Sequence, residues 1–452
     1  MTTIISRRGF LRLGCCSAAT IGITSFMSKF GLMSAFAQSA SPYQALVCIF
    51  LFGGNDSNNV LIPVDSRYTQ YQSIRGNLAL AEASLLPIAA ADGTPYGLHP
   101  NFPEIQSLYN SKVAAFVLNV GTLVQATDRA QYQTNGVPVP ANLFSHADQQ
   151  IQWQSSIPET FKSSTGWGGR TADVLKTNGV ASGSLPAGIS VAGNSLFLTG
   201  QNTPPATIIP GAPLGLTGGS GAAAAARNAA MQSLLSFDAG FSLIQASNSA
   251  VSNGLQIAAT LNSAFAGAPP IGVTFPATGL GAQLQQVAQI IQARSQINAT
   301  RQIFFCSLGG FDTHSNQLNT QVQLLQQLSQ AIDAFYNATV ALGVASQVTT
   351  FTSSDFNRTF QPNSTGGSDH AWGSHHLVVG GAVKGGDLYG TFPQLALNTG
   401  NDANNRGVWI PGIPTDQYGA ALASWFGIAP ADLATIFPNL ANFATPTPAF
   451  MS

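Results

Sequence analysis

Six histidines occur in the chain, His99, His146, His314, His370, His375 and His376, and each lies at or near the end of an apolar run or the start of a helical pattern. Four aspartates accompany them: Asp56 in Gly53-Gly54-Asn55-Asp56, Asp312 in Gly309-Gly310-Phe311-Asp312-Thr313-His314, Asp355 in Ser353-Ser354-Asp355, and Asp369 directly before His370. Asp56, Asp312 and Asp355 follow apolar runs by a few residues, so a parallel sheet would bring their carboxylates to one edge, where such folds bind ligands. Carboxylates gathered so closely repel one another, and a cation relieves the repulsion. Imidazoles from His314 and His370 make the donor set a mixed nitrogen and oxygen one, which suits Zn, Mn or Fe better than Ca. The expected ligands of one or two divalent ions are therefore Asp56, Asp312, His314, Asp355 and His370. Taken singly, Gly-Gly-Asn-Asp or Asp-Thr-His reads as well as a turn or a helix cap; three in register read as a site.

Ser145-His146-Ala147-Asp148 precedes a helix-like run containing Ile151 and Trp153. Ser145 as N-cap with Asp148 at the third helical position explains the residue types and the spacing. The chemical alternative makes Ser145, on a helix N-terminus beside a metal, a nucleophile or an anion-binding group. A Ser-His-Asp triad is a poor fit, because adjacent Ser145 and His146 at one helix start do not readily face each other. No Gly-x-Ser-x-Gly elbow is present. His370 sits in a Gly-rich loop, while His375 and His376 are read as solvated or hydrogen-bonded loop residues and not as ligands.

The elements that must position these groups are apolar runs ended by turn residues. Residues 45–52 end at Gly53-Gly54, 113–120 at Gly121, 302–308 at Gly309-Gly310, and 348–352 at Ser353-Ser354-Asp355. Such uninterrupted runs fit strands buried on both faces. A further run, Leu377 to Gly381, reads as another strand, and helical patterns span 102–110, 321–341 and 418–426. Alternation of this kind predicts a parallel sheet covered by helices on two sides. Residues 195–300 are rich in Ala, Ser, Gln and Asn and are expected to form a helical insertion over the sheet.

The N-terminus carries Arg7-Arg8 ahead of a weakly hydrophobic run and the small-x-small sequence Ala35-Phe36-Ala37. That is the pattern of a twin-arginine signal over residues 1–37, which implies transport of the folded chain by the twin-arginine translocase and a periplasmic or secreted location. Charged residues make up 8% of the chain and the net charge is −1. This argues against nucleic acid and against a polybasic membrane surface as partners. Beyond the signal no apolar run is long enough to span a bilayer. Cys48 and Cys306 each lie in an apolar strand-like run and are expected to be buried free thiols.

Together, Leu51 to Asp56, Leu98-His99-Pro100, Ser145-His146, Gly166 to Arg170, Gly309 to His314, Gly367 to His370 and Gly380 to Gly386 resemble the bacterial domain-of-unknown-function 1501 proteins, commonly twin-arginine exported, within the alkaline phosphatase and sulfatase superfamily. The resemblance covers most of residues 38–452. It implies a three-layer α/β/α sandwich, alkaline-phosphatase-like, with a metal cluster at the strand ends that hydrolyses or transfers phosphate or sulfate esters of small molecules or glycans. By position Asp56 is similar to the ligand after the first strand, Ser145 to the helix-start nucleophile, Asp312 and His314 to the later Asp and His pair, Asp355 to the next Asp, and His370 to the last His. Arg170 and Arg358 are candidates for holding an oxyanion, or else ion-pair partners. The chain departs from the superfamily at Phe356, where Asp-His is common and Asp355-Phe356 stands here, and it lacks the Cys/Ser-x-Pro-x-Arg sequence of sulfatases. Two functions follow: an exported metal-dependent ester hydrolase, or a reduced member of the fold that binds a ligand or partner outside the cytoplasm.

Overall fold

The apolar runs become strands because their side chains can be buried on both faces of a sheet only if helices cover each face. A computed structural model describes residues 42–216, 221–237, 240–444 and 446–452; the expected signal at 1–37 lies outside these. In chain order the strands are β1 (Gln44–Phe52), β2 (Leu61–Pro63), β3 (Leu86–Ala89), β4 (Pro95–Leu98), β5 (Ala114–Gly121), β6 (Gly188–Ser190), β7 (Ala206–Thr207), β8 (Arg301–Gly309), β9 (Val348–Ser354), β10 (Ser374–Gly380), β11 (Leu388–Tyr389) and β12 (Ile413–Pro414). The main sheet runs β11-β5-β10-β9-β1-β8-β6-β7, with β12 also on β5, and β2, β4 and β3 form a small separate sheet. β1 is parallel to both β8 and β9. Among the described residues, β10 alone runs against its neighbours, β5 and β9, in the main sheet. The central sheet is thus largely parallel, and the ends of β9, β1 and β8 lie side by side.

Alternation along β1 sorts the two helical layers. Leu46, Cys48 and Phe50 join Trp153, Trp167, Leu175, Tyr418 and Leu422 in one core, supplied by the helices His146–Ser155, Trp167–Thr177 and Thr415–Trp425. The helices Pro103–Asn110, Gly279–Gln292 and Gln317–Ala341 give no residue to this core and pack on one another, β5 and β8. The result is a three-layer α/β/α arrangement. Gln317–Ala341 buries Leu324, Leu325, Leu328, Ile332 and Phe335 along one face, the stripe that helical periodicity requires. Each such side chain contributes about 1.5–3 kcal/mol on burial.

Within the stretch expected to be a helical insertion, Ala222–Leu235 has no buried residue, and Ser242–Phe265 buries only Ala258, Leu261 and Ala264. Gly279–Gln292 instead belongs to the layer over the sheet, because Leu284, Val287, Ile290 and Ile291 turn inward. Cys48 and Cys306 are free and buried. Cys48 lies opposite Phe305 in the register of β1 and β8, one position out of step with Cys306. Among the described residues no helix is long and apolar enough to cross a membrane.

Candidate metal centre

Three adjacent parallel strands deliver the groups. Asp56 follows β1, Asp312 and His314 follow β8, and Asp355 follows β9. His370 comes from the loop between β9 and β10, pinned by a bridge between Arg358 and His370. His146 opens the helix His146–Ser155. The turn after β1 has to be Gly-Gly. Gly53 has φ +112 and a Cβ there would lie 2.4 Å from the Asp312 backbone nitrogen; Gly54 has φ +79 and its Cβ would meet the Phe356 ring at 2.6 Å.

Three imidazoles converge on one carboxylate. Nε2 of His146, His314 and His370 lie 3.4, 3.0 and 3.5 Å from Asp312 Oδ1, and Nε2 of His314 and His370 are 3.0 Å apart. Donors at the corners of a tetrahedron around an ion with bonds of 2.0–2.1 Å stand about 3.3 Å apart, which is close to the four spacings just given. His146, Asp312 and His370 form the group whose ligand atoms all lie within 4.8 Å of one another, and His314 adjoins it through Asp312 and His370.

Each imidazole is oriented from behind. His146 Nδ1 is 2.7 Å from Asp355 Oδ2, His314 Nδ1 is 3.1 Å from Asp369 Oδ1, and His370 Nδ1 is 2.8 Å from the carbonyl of Phe144. A carbonyl can only accept, so His370 carries its proton on Nδ1 and presents a lone pair at Nε2. Asp355 and Asp369 are placed to accept from Nδ1 of the other two rings, an arrangement typical of metal-ligating histidines. Nε2 of His146 is buried and has no hydrogen-bond partner, which leaves a donor atom aimed at the cluster with nothing to satisfy it. Phe356, buried, packs its ring 4.7 Å from those of both His146 and His370.

The local field follows from these contacts. The hydrogen bond to Asp355 raises the His146 pKa, whereas burial lowers that of His370. Partial burial works to raise the Asp312 carboxyl, but the Arg358 guanidinium, with Nη2 2.6 Å from Oδ1, outweighs it and holds the group below the usual carboxylate range. Asp369 is opposed by burial in the same way, yet Arg406, Asn363 and His314 bring it down to about 2.

The expected five-ligand set is only partly brought together. Asp312, His314 and His370 share the cluster; Asp56 does not, since its buried carboxylate is taken by Arg75, Gln317 and Asn58. Asp355 stands one layer back, accepting from His146, from Gln150 at 2.9 Å and from the Gly53 amide at 3.2 Å. Arg170 is remote from an oxyanion role: its guanidinium clamps the carbonyls of Ser155, Thr165 and Ile436. Arg358 is fully buried and bonded to Asp312. Ser145 occupies the N-cap position without a side-chain capping bond, so the capping box with Asp148 is not formed. His375 and His376 are not loop residues but lie buried on β10. Sequence reasoning missed His146 as part of the cluster; its one signal was the gathering of all six histidines at element ends.

A family model described as proteins of unknown function, DUF1501, matches residues 43–406. The chain belongs to this family. No curated protein matches the chain. Among solved structures the chain is similar to the C-terminal periplasmic domain of EcEptC from Escherichia coli, in complex with Zn, at 8% identity, covering 76% of this chain and 74% of that one with a TM-score of 0.32. It is also similar to the lipoteichoic acid synthase LtaP from Listeria monocytogenes at 8% identity, 89% and 76% coverage and TM-score 0.34. The PsFucS1 sulfatase from Pseudoalteromonas sp. gives 8% identity, 88% and 70% coverage and TM-score 0.34. Likenesses this distant say nothing of individual side chains in this family member.

Proposed function

We propose that this protein is an exported metal-dependent hydrolase of phosphate or sulfate esters. The observation that carries the metal centre is the convergence of three Nε2 atoms on Asp312, each ring held at Nδ1 by its own acceptor. His146, Asp312, His314 and His370 would hold a divalent ion such as Zn, Mn or Fe. Such an ion supplies Lewis acidity toward an ester oxygen and lowers the pKa of a coordinated hydroxyl or water. Asp355 and Asp369 keep the rings in the binding tautomer, and Arg358 anchors the Asp312 carboxylate. Asp312 and His314 are each about half exposed, so a substrate can approach from solvent on that side. Ser145, at a helix N-terminus whose amides favour an anion, is the proposed nucleophile. The choice of ester rests on the resemblance of the motifs to the alkaline phosphatase and sulfatase superfamily, and export through the twin-arginine translocase to the periplasm or beyond rests on Arg7-Arg8 and the run that follows.

Hydrolysis of aryl phosphates and aryl sulfates by metal-loaded protein tests the reading. Activity abolished by Asp312→Ala and reduced at least 100-fold by Ser145→Ala is expected; activity indifferent to both would overturn it. One observation favours the second reading, a ligand-binding protein on the same fold. Phe356 puts an apolar ring against the two imidazoles, at a position where the superfamily that the motifs resemble commonly has a histidine. Metal binding without turnover of either ester class would support that reading.

A further inference from the structure

We infer that the centre accepts one divalent ion per chain and is closed to a second. The inference rests on the metal-centre reading above and concerns what surrounds the four ligands. A second ion needs further carboxylates or imidazoles, and each neighbouring carboxylate is already engaged by hydrogen-bond donors. Asp56 Oδ2 receives both Arg75 Nη2 and Gln317 Nε2, and its Oδ1 receives the Asn58 backbone and side-chain N–H groups. Asp355 receives three donors, from His146, Gln150 and Gly53. Asp369 is divided between His314 and Asn363 on one oxygen and Arg406 on the other.

Charge acts in the same direction. Arg75 and Arg358 are both fully buried, and each places a guanidinium on one of the acids that follow β1 and β8. Arg75 is held in that position by further bonds to Asn59 Oδ1 and to the carbonyls of Thr359 and Phe360. Where repulsion among strand-end carboxylates called for cations in the sequence, the fold supplies a guanidinium at Asp56 and another at Asp312, whose Oδ1 also faces the three imidazoles. The buried Arg75 guanidinium on Asp56 opposes a dication at the end of β1. Phe356 sets an apolar ring, which offers no ligand, against the His146 and His370 imidazoles. Among the described residues the donor atoms gathered at one point are Asp312 Oδ1 and the Nε2 atoms of His146, His314 and His370.

The test is metal counting on the purified exported protein, stripped with chelator, saturated with Zn or Mn, freed of excess ion and assayed by plasma mass spectrometry. The expected plateau is one ion per chain, falling to less than about a tenth of that value in His146→Ala and in Asp312→Ala. With Mn, the paramagnetic resonance spectrum should be that of isolated ions, a readout that needs no variant to fold. Two ions per chain, or an exchange-coupled spectrum, would overturn the inference while leaving the hydrolase reading standing. One ion with no hydrolysis of any ester would do the reverse, and no bound ion would overturn both.

Discussion

Replacing Asp355 by Asn should weaken metal binding although Asp355 touches no ion. Its carboxylate is fully buried and accepts from His146 Nδ1 at 2.7 Å, Gln150 Nε2 at 2.9 Å and the Gly53 amide at 3.2 Å. Asn keeps the shape but turns one of the two oxygens into an NH2 group. If that group faces His146, the ring must accept at Nδ1, its proton moves to Nε2, and the lone pair aimed at the cluster is lost. If it faces Gly53, two N–H groups oppose each other in a buried site. Loss of such an outer-shell partner typically costs 10–100-fold in metal affinity, about 1.4–2.7 kcal/mol, and the unmet donor about 1–3 kcal/mol of folding stability. Competition with a chromogenic chelator measures the first and urea unfolding of chelator-treated protein the second. Gln150→Ala, which removes one donor and leaves His146 its acceptor, should change affinity less than threefold. An Asp355→Asn protein that folds and binds the ion as tightly as the parent would refute the assignment of His146 as a ligand oriented by Asp355.

Acid should destabilise the chain through buried histidines that are not members of the cluster. Burial pushes His375 and His376 down to about 3 and His99 down to about 4, against 6.5 when unfolded. The unfolded chain therefore binds the extra protons, and stability present above pH 6.5 is lost as pH falls toward 4, by about 1.4 kcal/mol per pH unit for each group. Urea midpoints between pH 7 and 4.5 check this; a flat profile would contradict it. Arg170→Met should cost about 2–4 kcal/mol of stability by stranding the carbonyls that the guanidinium now serves, with metal content unchanged. A loss of metal would return Arg170 to the site. Gly54→Ala should strain a backbone at φ +79 and drive a methyl into the Phe356 ring, lowering both stability and metal affinity. Unchanged thermal unfolding and metal titration would show that the turn has room to adapt.

The strands were legible because an apolar run buried on both faces needs no periodic analysis, and its glycine or serine terminator marks the edge where ligands gather. That edge explains why Asp56, Asp312 and Asp355 were found together. What hid the division of labour among them was long-range pairing. Asp56 is claimed by Arg75 and by Gln317, the latter 261 residues away, and no local pattern announces that a carboxylate has already met its cation. His146 was obscured for the opposite reason. A serine, a histidine and an aspartate at a helix start are accounted for by capping, and only the packing of that helix against the end of β9 brings the ring to Asp355. The antiparallel course of β10 was equally silent, so His375 and His376 read as loop residues although their neighbours Leu377 to Val379 read as strand.

The most direct test of the central claim is X-ray absorption spectroscopy at the metal edge of the loaded protein. Three imidazole nitrogens and one carboxylate oxygen supplied by the chain should fit the first shell, with one imidazole lost in His146→Ala. A shell dominated by oxygen, or one unchanged in His146→Ala, would contradict a centre built from His146, Asp312, His314 and His370.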